Sequence, residues 1–82
     1  MDEIFITLRI PGQDAMDLKI PGYITGEEFL AIASEITGRN MPGGARIQAE
    51  PVGRILENTQ ALDSEGVENG ALLTVLEGKG GS

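Results

Sequence analysis

Apolar and polar residues alternate along the first part of the chain. Residues 4–10 carry isoleucine or leucine at every second position, which predicts a strand with one buried face. Pro11-Gly12 ends this run, and a second alternating run follows at residues 16–20. Two alternating strands joined by a short turn that contains proline and glycine predict an antiparallel hairpin.

The next part of the chain has the spacing of a helix. Thr25 and Glu28 stand three residues apart, as in a capping box, where the threonine oxygen accepts from a backbone N–H and the glutamate binds back. Gly38 is well placed for the left-handed end of a helix. We therefore predict a helix over residues 26–37. Its apolar residues at helical spacing are Phe29, Ile32, Ala33 and Ile36.

Further strands are predicted in the second half. At residues 45–50, apolar side chains alternate with Gln48 and Glu50, which places these two polar side chains on the outer face of a third strand. Ile55-Leu56 is long enough for a very short fourth strand. Residues 72–76 (Leu-Leu-Thr-Val-Leu) form a last strand, whose apolar content indicates a central position in the sheet.

The order of these elements predicts the fold class. A hairpin is followed by a helix that crosses the sheet, and then by further short strands. Short strands on one side of a single helix indicate an α+β layer pair. The arrangement is that of a β-grasp fold, in which a mixed sheet of four to five strands packs on one helix.

The composition limits what such a domain can do. The 82 residues allow one domain, and they include no cysteine, histidine or tryptophan. Disulfides, thiolate metal sites and histidine-based catalysis are therefore excluded, so we expect neither an enzyme nor a metal protein. The net charge of −7 disfavours nucleic acid and anionic membranes as partners. Since no signal peptide or apolar span is evident, we expect a cytoplasmic monomer.

Acidic pairs and a glycine-rich loop are weak candidates for chemistry. Asp14 with Asp17, and Glu27 with Glu28, have no histidine or nucleophile to work with, and helix capping explains the second pair better. The loop at residues 41–44 lacks the lysine and the serine or threonine of a phosphate-binding loop. We expect no catalytic site at any of these positions.

The order and character of the segments resemble ubiquitin and its relatives. Residues 4–6 are similar to the opening strand of ubiquitin, and Thr25 begins the helix after a turn. Residues 62–67 resemble the family pattern L-x-D-x-x-I, with Leu62 and Val67 at its apolar positions. The similarity is tighter at the end of the chain. From residue 72 to Gly81 the sequence runs in step with the last strand, linker and terminal diglycine of ubiquitin, and Ser82 is left over.

This resemblance implies a ubiquitin-like protein modifier, which is a substrate of other enzymes. The carboxylate of Gly81, preceded by Gly80, would be adenylated by an activating enzyme that uses ATP. It would then pass to a conjugating enzyme as a thioester and end on an amine of a target protein. The chain itself would bind no cofactor. Glycine suits the reacting end because it has no Cβ and accepts nearly any backbone conformation.

The resemblance divides the chain into a β-grasp domain, residues 1–76, and a flexible tail, residues 77–82. It implies that a processing or deconjugating peptidase cuts between Gly81 and Ser82, which makes the 82-residue chain a precursor. Glu77, Gly78 and Lys79 would be read by the partner enzymes. Glu77 departs from the family pattern, since ubiquitin is basic at this place.

Two lysines and one surface complete the candidate sites. Lys19 and Lys79 carry the side-chain amines of the chain, so self-conjugation would use them, although Lys19 is better explained as a solvated strand residue. Ubiquitin binds partners through an apolar patch on its sheet. Here we expect Val75 and Phe5 on the outer face beside polar side chains, which favours a solvated surface over such a patch.

A second family offers an alternative function. The Pro21 turn and the entry to the last strand at residues 68–73 (Glu-Asn-Gly-Ala-Leu-Leu) also resemble YukD-like proteins, small bacterial relatives of ubiquitin associated with type VII secretion. This resemblance implies a secretion accessory or interaction domain that conjugates to nothing. YukD-like proteins generally lack the diglycine end, so the tail is the feature that separates the two hypotheses.

Overall fold

The computed structural model describes residues 3–38 and 44–76, which form five strands and one helix. In chain order the elements are β1 (Glu3–Arg9), β2 (Met16–Pro21), α1 (Gly26–Thr37), β3 (Arg46–Glu50), β4 (Arg54–Ile55) and β5 (Ala71–Leu76). A 3₁₀ turn at Asp63–Glu65 lies between β4 and β5. This composition of elements confirms the predicted α+β class.

The strands form a mixed sheet in the order β2-β1-β5-β3-β4. The neighbouring strands β1 and β5 are parallel, whereas the β1–β2, β3–β5 and β3–β4 pairs are antiparallel. The last strand therefore occupies the centre of the sheet, as its apolar content predicted. The β-grasp fold is confirmed.

The fourth strand is shifted by one residue from its predicted limits. β4 covers Arg54–Ile55 instead of Ile55-Leu56. The N–H of Leu56 still donates to the carbonyl of Ile47 at 2.8 Å, but the Leu56 side chain is fully buried in the core. β1 is likewise shifted by one residue, and the limits of β2, β3 and β5 differ from the predicted ones by one residue at one end.

Both ends of α1 are capped as the sequence predicted. Thr25 Oγ1 accepts from the N–H of Glu28 at 3.2 Å, and the Glu28 carboxylate accepts from the N–H of Thr25 at 2.9 Å. These two bonds form the capping box. At the other end, Gly38 takes the left-handed conformation, with φ of 71°, which glycine adopts without a Cβ penalty.

The buried stripe of α1 differs in part from the predicted one. Phe29 and Ala33 are fully buried, as expected, but Ile36 is 44% exposed. At 100° per residue, the stripe centres on Gly26, Leu30 and Ala33, and Ile36 stands at its margin. Ile36 has the predicted helical spacing but lies outside the core, and Leu30, which was not among the predicted residues, lies in the core.

One core lies between the helix and the inner face of the sheet. Leu62 and Val67, the apolar anchors of the segment between β4 and β5, are buried there. Backbone bonds hold this segment against the start of the helix, since Leu62 donates to Ile24 at 2.8 Å and Asp63 donates to Gly22 at 2.9 Å. The largest fully buried side chains are Phe29, Ile6, Leu8, Ile47, Leu56, Leu62, Leu73 and Val75.

Candidate functional site

The face of the sheet turned away from α1, called here the outer sheet face, is formed by alternate residues of the strands. Successive strand residues point to opposite faces, and residues paired across strands share a face. The strand registers therefore assemble this surface from five strands. Its members on the three inner strands are Phe5, Thr7, Arg9, Leu72, Thr74, Leu76, Arg46, Gln48 and Glu50.

Phe5 is the most prominent apolar residue of the outer sheet face. Phe5 is 59% exposed, as predicted from the sequence. Its backbone is hydrogen-bonded on the side that faces β5. The Phe5 N–H donates to Asn69 Oδ1 at 2.8 Å, and its carbonyl accepts from Gly70 at 2.8 Å. Phe5 is thus an exposed aromatic ring on a rigid strand.

The side chains around Phe5 come from the hairpin. Lys19 lies opposite Phe5, with its Nζ 5.7 Å from the ring centroid and 3.2 Å from a carboxylate oxygen of Glu3. An ammonium at this distance is attracted to the face of an aromatic ring. The aromatic ring is therefore flanked by one positive and one negative group.

Polar side chains lie on both sides of the middle of the outer sheet face. Thr7 Oγ1 donates to Asp17 Oδ1 at 2.8 Å, and Gln48 Nε2 donates to Glu50 Oε2 at 3.2 Å. The predicted outward position of Gln48 and Glu50 is confirmed, because the alternate residues of β3 are buried. Leu72 lies between these two polar pairs and is half-buried.

Val75 does not lie on this face. An outward position was predicted for Val75, but its side chain is fully buried and it pairs with the buried Ile47 of β3. The inward positions of β5 are Ala71, Leu73 and Val75, and the outward ones are Leu72, Thr74 and Leu76. The apolar part of the outer sheet face on β5 is therefore formed by Leu72 and Leu76.

Positive charges within residues 3–38 and 44–76 belong entirely to the strands, at Arg9, Lys19, Arg46 and Arg54. Arg9 and Arg46 lie near the carboxyl end of β5, since they pair with Thr74 and Leu76. Arg46 also donates to the carbonyl of Leu56 at 3.2 Å. The sheet thus carries the cations of an otherwise acidic domain.

The ion pair between Arg54 of β4 and Glu65 of the 3₁₀ turn was not predicted from the sequence. Arg54 Nη1 lies 2.7 Å from Glu65 Oε1, and Arg54 Nη2 donates to the Glu65 carbonyl at 3.1 Å. The N–H of Glu57 also donates to that carboxylate, at 3.2 Å. The Arg54 hydrogen bond, with help from the Glu57 N–H, holds the pKa of Glu65 below its ordinary value. No sequence motif marks this pair, whose members are eleven residues apart.

The residues predicted for conjugation lie outside the described part of the chain. They are the conjugation site Gly81 with Gly80, the processing site at Gly81 and Ser82, and the tail residues Glu77, Gly78 and Lys79. The glycine-rich loop at residues 41–43 is outside it too. The last described residue, Leu76, ends β5, so the chain enters the tail segment from the central strand of the sheet.

One member of each acidic pair has a structural role. Asp17 accepts from Thr7, and Glu28 caps the helix. Within residues 3–38 and 44–76, no group of three or more aspartates or glutamates is placed to hold a metal ion. Over the same residues, no helix is long and apolar enough to cross a membrane.

The sequence model of one protein family, described as WXG100 protein secretion system (Wss), protein YukD, matches residues 4–75. This match covers every strand and the helix almost completely. Among curated proteins, none matches the sequence of this chain.

Solved structures show the same fold in ubiquitin-like proteins. The ubiquitin-like domain of the Mycobacterium tuberculosis type VII secretion protein ECCD1 is 24% identical, with a TM-score of 0.65 over 94% of this chain and 100% of that one. The ubiquitin of Caldiarchaeum subterraneum is 19% identical, with a TM-score of 0.74 over 98% and 99%. The ubiquitin-like domain of tubulin-binding cofactor B is 17% identical, with a TM-score of 0.78 over 99% and 96%.

Proposed function

Because the chain belongs to the YukD family of the WXG100 secretion system, we propose that it is a protein-interaction module of a type VII secretion apparatus. The family match over residues 4–75 carries this proposal, since it spans the whole β-grasp domain. The solved ECCD1 domain, which belongs to a type VII secretion protein, has the same fold. Of the two hypotheses from the sequence, the secretion accessory thus has more support than the modifier.

The outer sheet face is the surface through which this module binds its protein partner. Exposed aromatic residues on rigid backbone are typical centres of protein interfaces. Phe5 meets that description, since 59% of its side chain is exposed while both backbone polar groups are bonded. Arg9, Arg46 and Glu50 supply the charged rim that orients a partner.

We place this binding in the cytoplasm, with no cofactor bound by the chain. The partner is a protein component of the secretion apparatus, and the domain contributes recognition without chemistry. The acidic net charge of −7 keeps the free domain soluble and away from anionic membrane surfaces.

Genetic complementation tests the role in secretion. Deletion of the gene in its own organism should stop or strongly reduce export of WXG100 proteins, and the wild-type gene should restore it. The variant Phe5→Ser should restore export poorly, because it removes the exposed ring from the outer sheet face. Export is measured by immunoblot of culture supernatant against cell pellet.

Tyr23→Ser is the matched control, since Tyr23 is exposed to a similar extent, 64%, but lies in the turn before the helix. It should restore export fully. Equal export by both variants would rule out the outer sheet face as the binding surface. Normal export in the deletion strain would rule out the secretion function itself.

The glycine tail supports a second proposal, in which the domain is conjugated through Gly81. The supporting observation is the sequence Gly80-Gly81, which lies near the end of the tail that follows a ubiquitin-like domain. On this proposal a peptidase removes Ser82. The activating enzyme then uses ATP to charge the new carboxylate, and a conjugating enzyme carries it to the target.

Two measurements test the conjugation proposal. The intact mass of the native protein should show loss of one serine. The chain that ends at Gly81, mixed with the activating enzyme of the same organism, ATP and magnesium, should form a thioester that a thiol reductant removes. The chain that lacks Gly81 is the control and should form none. A native protein found only with Ser82, together with no thioester, would eliminate conjugation.

A further inference from the structure

The edge of the sheet at β2 has backbone groups that pair with nothing in the described part of the chain. The Phe5 N–H and carbonyl both face β5. Hydrogen bonding alternates along an antiparallel pair, so Phe5–Lys19 and Thr7–Asp17 are the pairs without mutual backbone bonds. The N–H and C=O groups of Asp17 and Lys19 therefore point away from β1, toward the open edge.

The charged side chains of β2, Asp17 and Lys19, contact residues of β1 and do not cover the edge. Charged residues on an edge strand usually discourage pairing with another chain. Here the Asp17 carboxylate is bound by Thr7 at 2.8 Å, and the Lys19 ammonium lies 3.2 Å from Glu3. Both side chains lean over the outer sheet face toward β1, so they leave the backbone of β2 accessible.

The opposite edge of the sheet is not comparable. β4 contains two residues, and the Arg54 guanidinium is bound to Glu65 through two of its nitrogens. A second strand would find few backbone groups there. Among the described residues, β2 is thus the one edge long enough for strand addition.

The charges on β2 favour one register for the antiparallel pairing of two copies at this edge. A two-fold axis at Asp17 would place two aspartates opposite each other, and an axis at Lys19 would place two lysines together. The second arrangement would also oppose Asp17 to Pro21, which has no N–H. An axis at Leu18 instead places Asp17 of each copy opposite Lys19 of the other, and opposite charges across strands are favourable.

The same register suits the inner face. With the axis at Leu18, the two Leu18 side chains oppose each other and Met16 opposes Ile20. Leu18 and Met16 are half-buried residues that pack on the core cluster, so pairing would cover apolar surface that one copy leaves partly exposed. Four backbone hydrogen bonds would form, two at each Asp17–Lys19 pair.

We propose that two copies of this chain associate through β2, with Leu18 opposite Leu18, and join two five-stranded sheets into one of ten strands. The occupant of the edge is a second copy, because this register pairs opposite charges on one face and apolar side chains on the other. The contact is small, so we expect a dissociation constant of about 100 μM, at the weak end of specific interfaces.

Sedimentation of the full chain tests the association. The weight-average mass should rise from the 8.7 kDa of one chain toward twice that value as the concentration approaches about 1 mM. Asp17→Lys and Lys19→Asp each create like-charge pairs and should weaken association at least about tenfold, since opposed like charges destabilise strand pairs. The double exchange restores opposite charges and should restore the dimer.

Circular dichroism must show that each variant is folded. A wild-type mass of one chain at every concentration would overturn the proposal. Equal masses for the single and double variants, all folded, would overturn the register.

A cross-linking experiment checks the register without a change of charge. The chain has no cysteine of its own, so Leu18→Cys introduces a single thiol. In a pair without mutual backbone bonds the Cα atoms lie about 4.5 Å apart, within the range for a disulfide. Mild oxidation should therefore cross-link Leu18→Cys. Thr74→Cys, a half-buried site on central β5, is the control and should stay largely monomeric. Equal cross-linking of both would contradict pairing at β2.

Discussion

The two edges of the sheet carry ion pairs of very different surroundings. At the β4 edge, Arg54 and Glu65 lie 2.7 Å apart, with side chains 50% and 12% exposed. At the β2 edge, Lys19 and Glu3 lie 3.2 Å apart, with side chains 55% and 47% exposed. Water screens exposed ion pairs, so the pair at β2 contributes little to stability. The β4 edge is therefore part of the packed domain, whereas the β2 edge is open.

The difference arises from what lies behind each edge. The segment of residues 57–66 packs beside β4, because Leu62 is buried in the core and bonded to Ile24. The N–H of Glu27 also donates to the carbonyl of Asn58 at 3.0 Å. No described segment covers β2 in this way. The β4 side is therefore held by the core and by the segment of residues 57–66, whereas the β2 side is held by its pairing with β1 and by the core contacts of Ile20, Leu18 and Met16.

Truncation of Leu62 should give the largest effect. Leu62→Ala removes a fully buried anchor of residues 57–66 and should lower the free energy of unfolding by about 2–5 kcal/mol. Leu18→Ala, at a half-buried position of β2, should cost about 1 kcal/mol. Urea unfolding curves of the two variants measure both losses. Similar losses would show that the two edges are equally supported by the core.

A methyl group at Gly26 should separate α1 from the same segment. A Cβ there would lie 2.9 Å from the Cα of Asn58, too close for real atoms. Gly26→Ala should therefore destabilise by about 1–3 kcal/mol, although alanine favours a helix by about 1 kcal/mol over glycine. Ala31→Gly on the exposed side of α1 is the control for helix propensity. A more stable Gly26→Ala chain would show that the contact yields easily.

Acid should weaken the β4 edge through Glu65. The carboxylate has a pKa below its ordinary 4.5 because Arg54 and the Glu57 N–H bind it. Its contribution is present above pH 4.5 and is lost as the pH falls through the lower folded-state value. Glu65→Gln and Arg54→Gln should both flatten the loss of stability below pH 4.5, measured by urea unfolding across the acid range. An unchanged slope in both variants would remove Glu65 from the acid response.

The ion pair at β2 should give the smallest effect. Lys19→Ala removes the contact with Glu3 and should change the free energy of unfolding by less than about 1 kcal/mol, because both side chains are exposed. Thermal unfolding at low and high salt measures this change. A larger loss that disappears at high salt would mean that the pair supports the hairpin after all.

Local patterns predicted most of the fold. The strict alternation of residues 4–10 determined which face of β1 is buried, and the capping box at Thr25 and Glu28 determined where α1 begins. Such signals depend on neighbours within a few residues, so they are legible without tertiary structure. The parallel pairing of β1 with β5 follows from the β-grasp arrangement as a whole.

The orientation of β5 was harder to predict. Its run of Leu72-Leu73-Thr74-Val75-Leu76 is apolar at both inward and outward positions except for Thr74. Without alternation, the periodicity does not say which residues are buried. Val75 was therefore assigned to the wrong face. Thr74 was the available signal, because the polar member of the run takes the outward position.

The candidate site was only partly visible in the sequence. Exposed Phe5 and the polar Gln48 and Glu50 follow from alternation. The Arg54–Glu65 pair does not, because it joins β4 to a 3₁₀ turn whose position depends on the burial of Leu62. The openness of the β2 edge depends on the strand order, which a list of elements does not contain.

The parallel alignment of β1 and β5 also has a mechanical consequence. Residues 6–9 of β1 pair with residues 71–74 of β5, so the first and last strands are joined side by side in parallel. A pull on the two termini in opposite directions would slide β1 past β5 and load all their hydrogen bonds together. The domain should therefore resist a force applied between its two termini. It should unfold at a lower force when the force is applied at right angles to the edge strands, because the hydrogen bonds then break one after another.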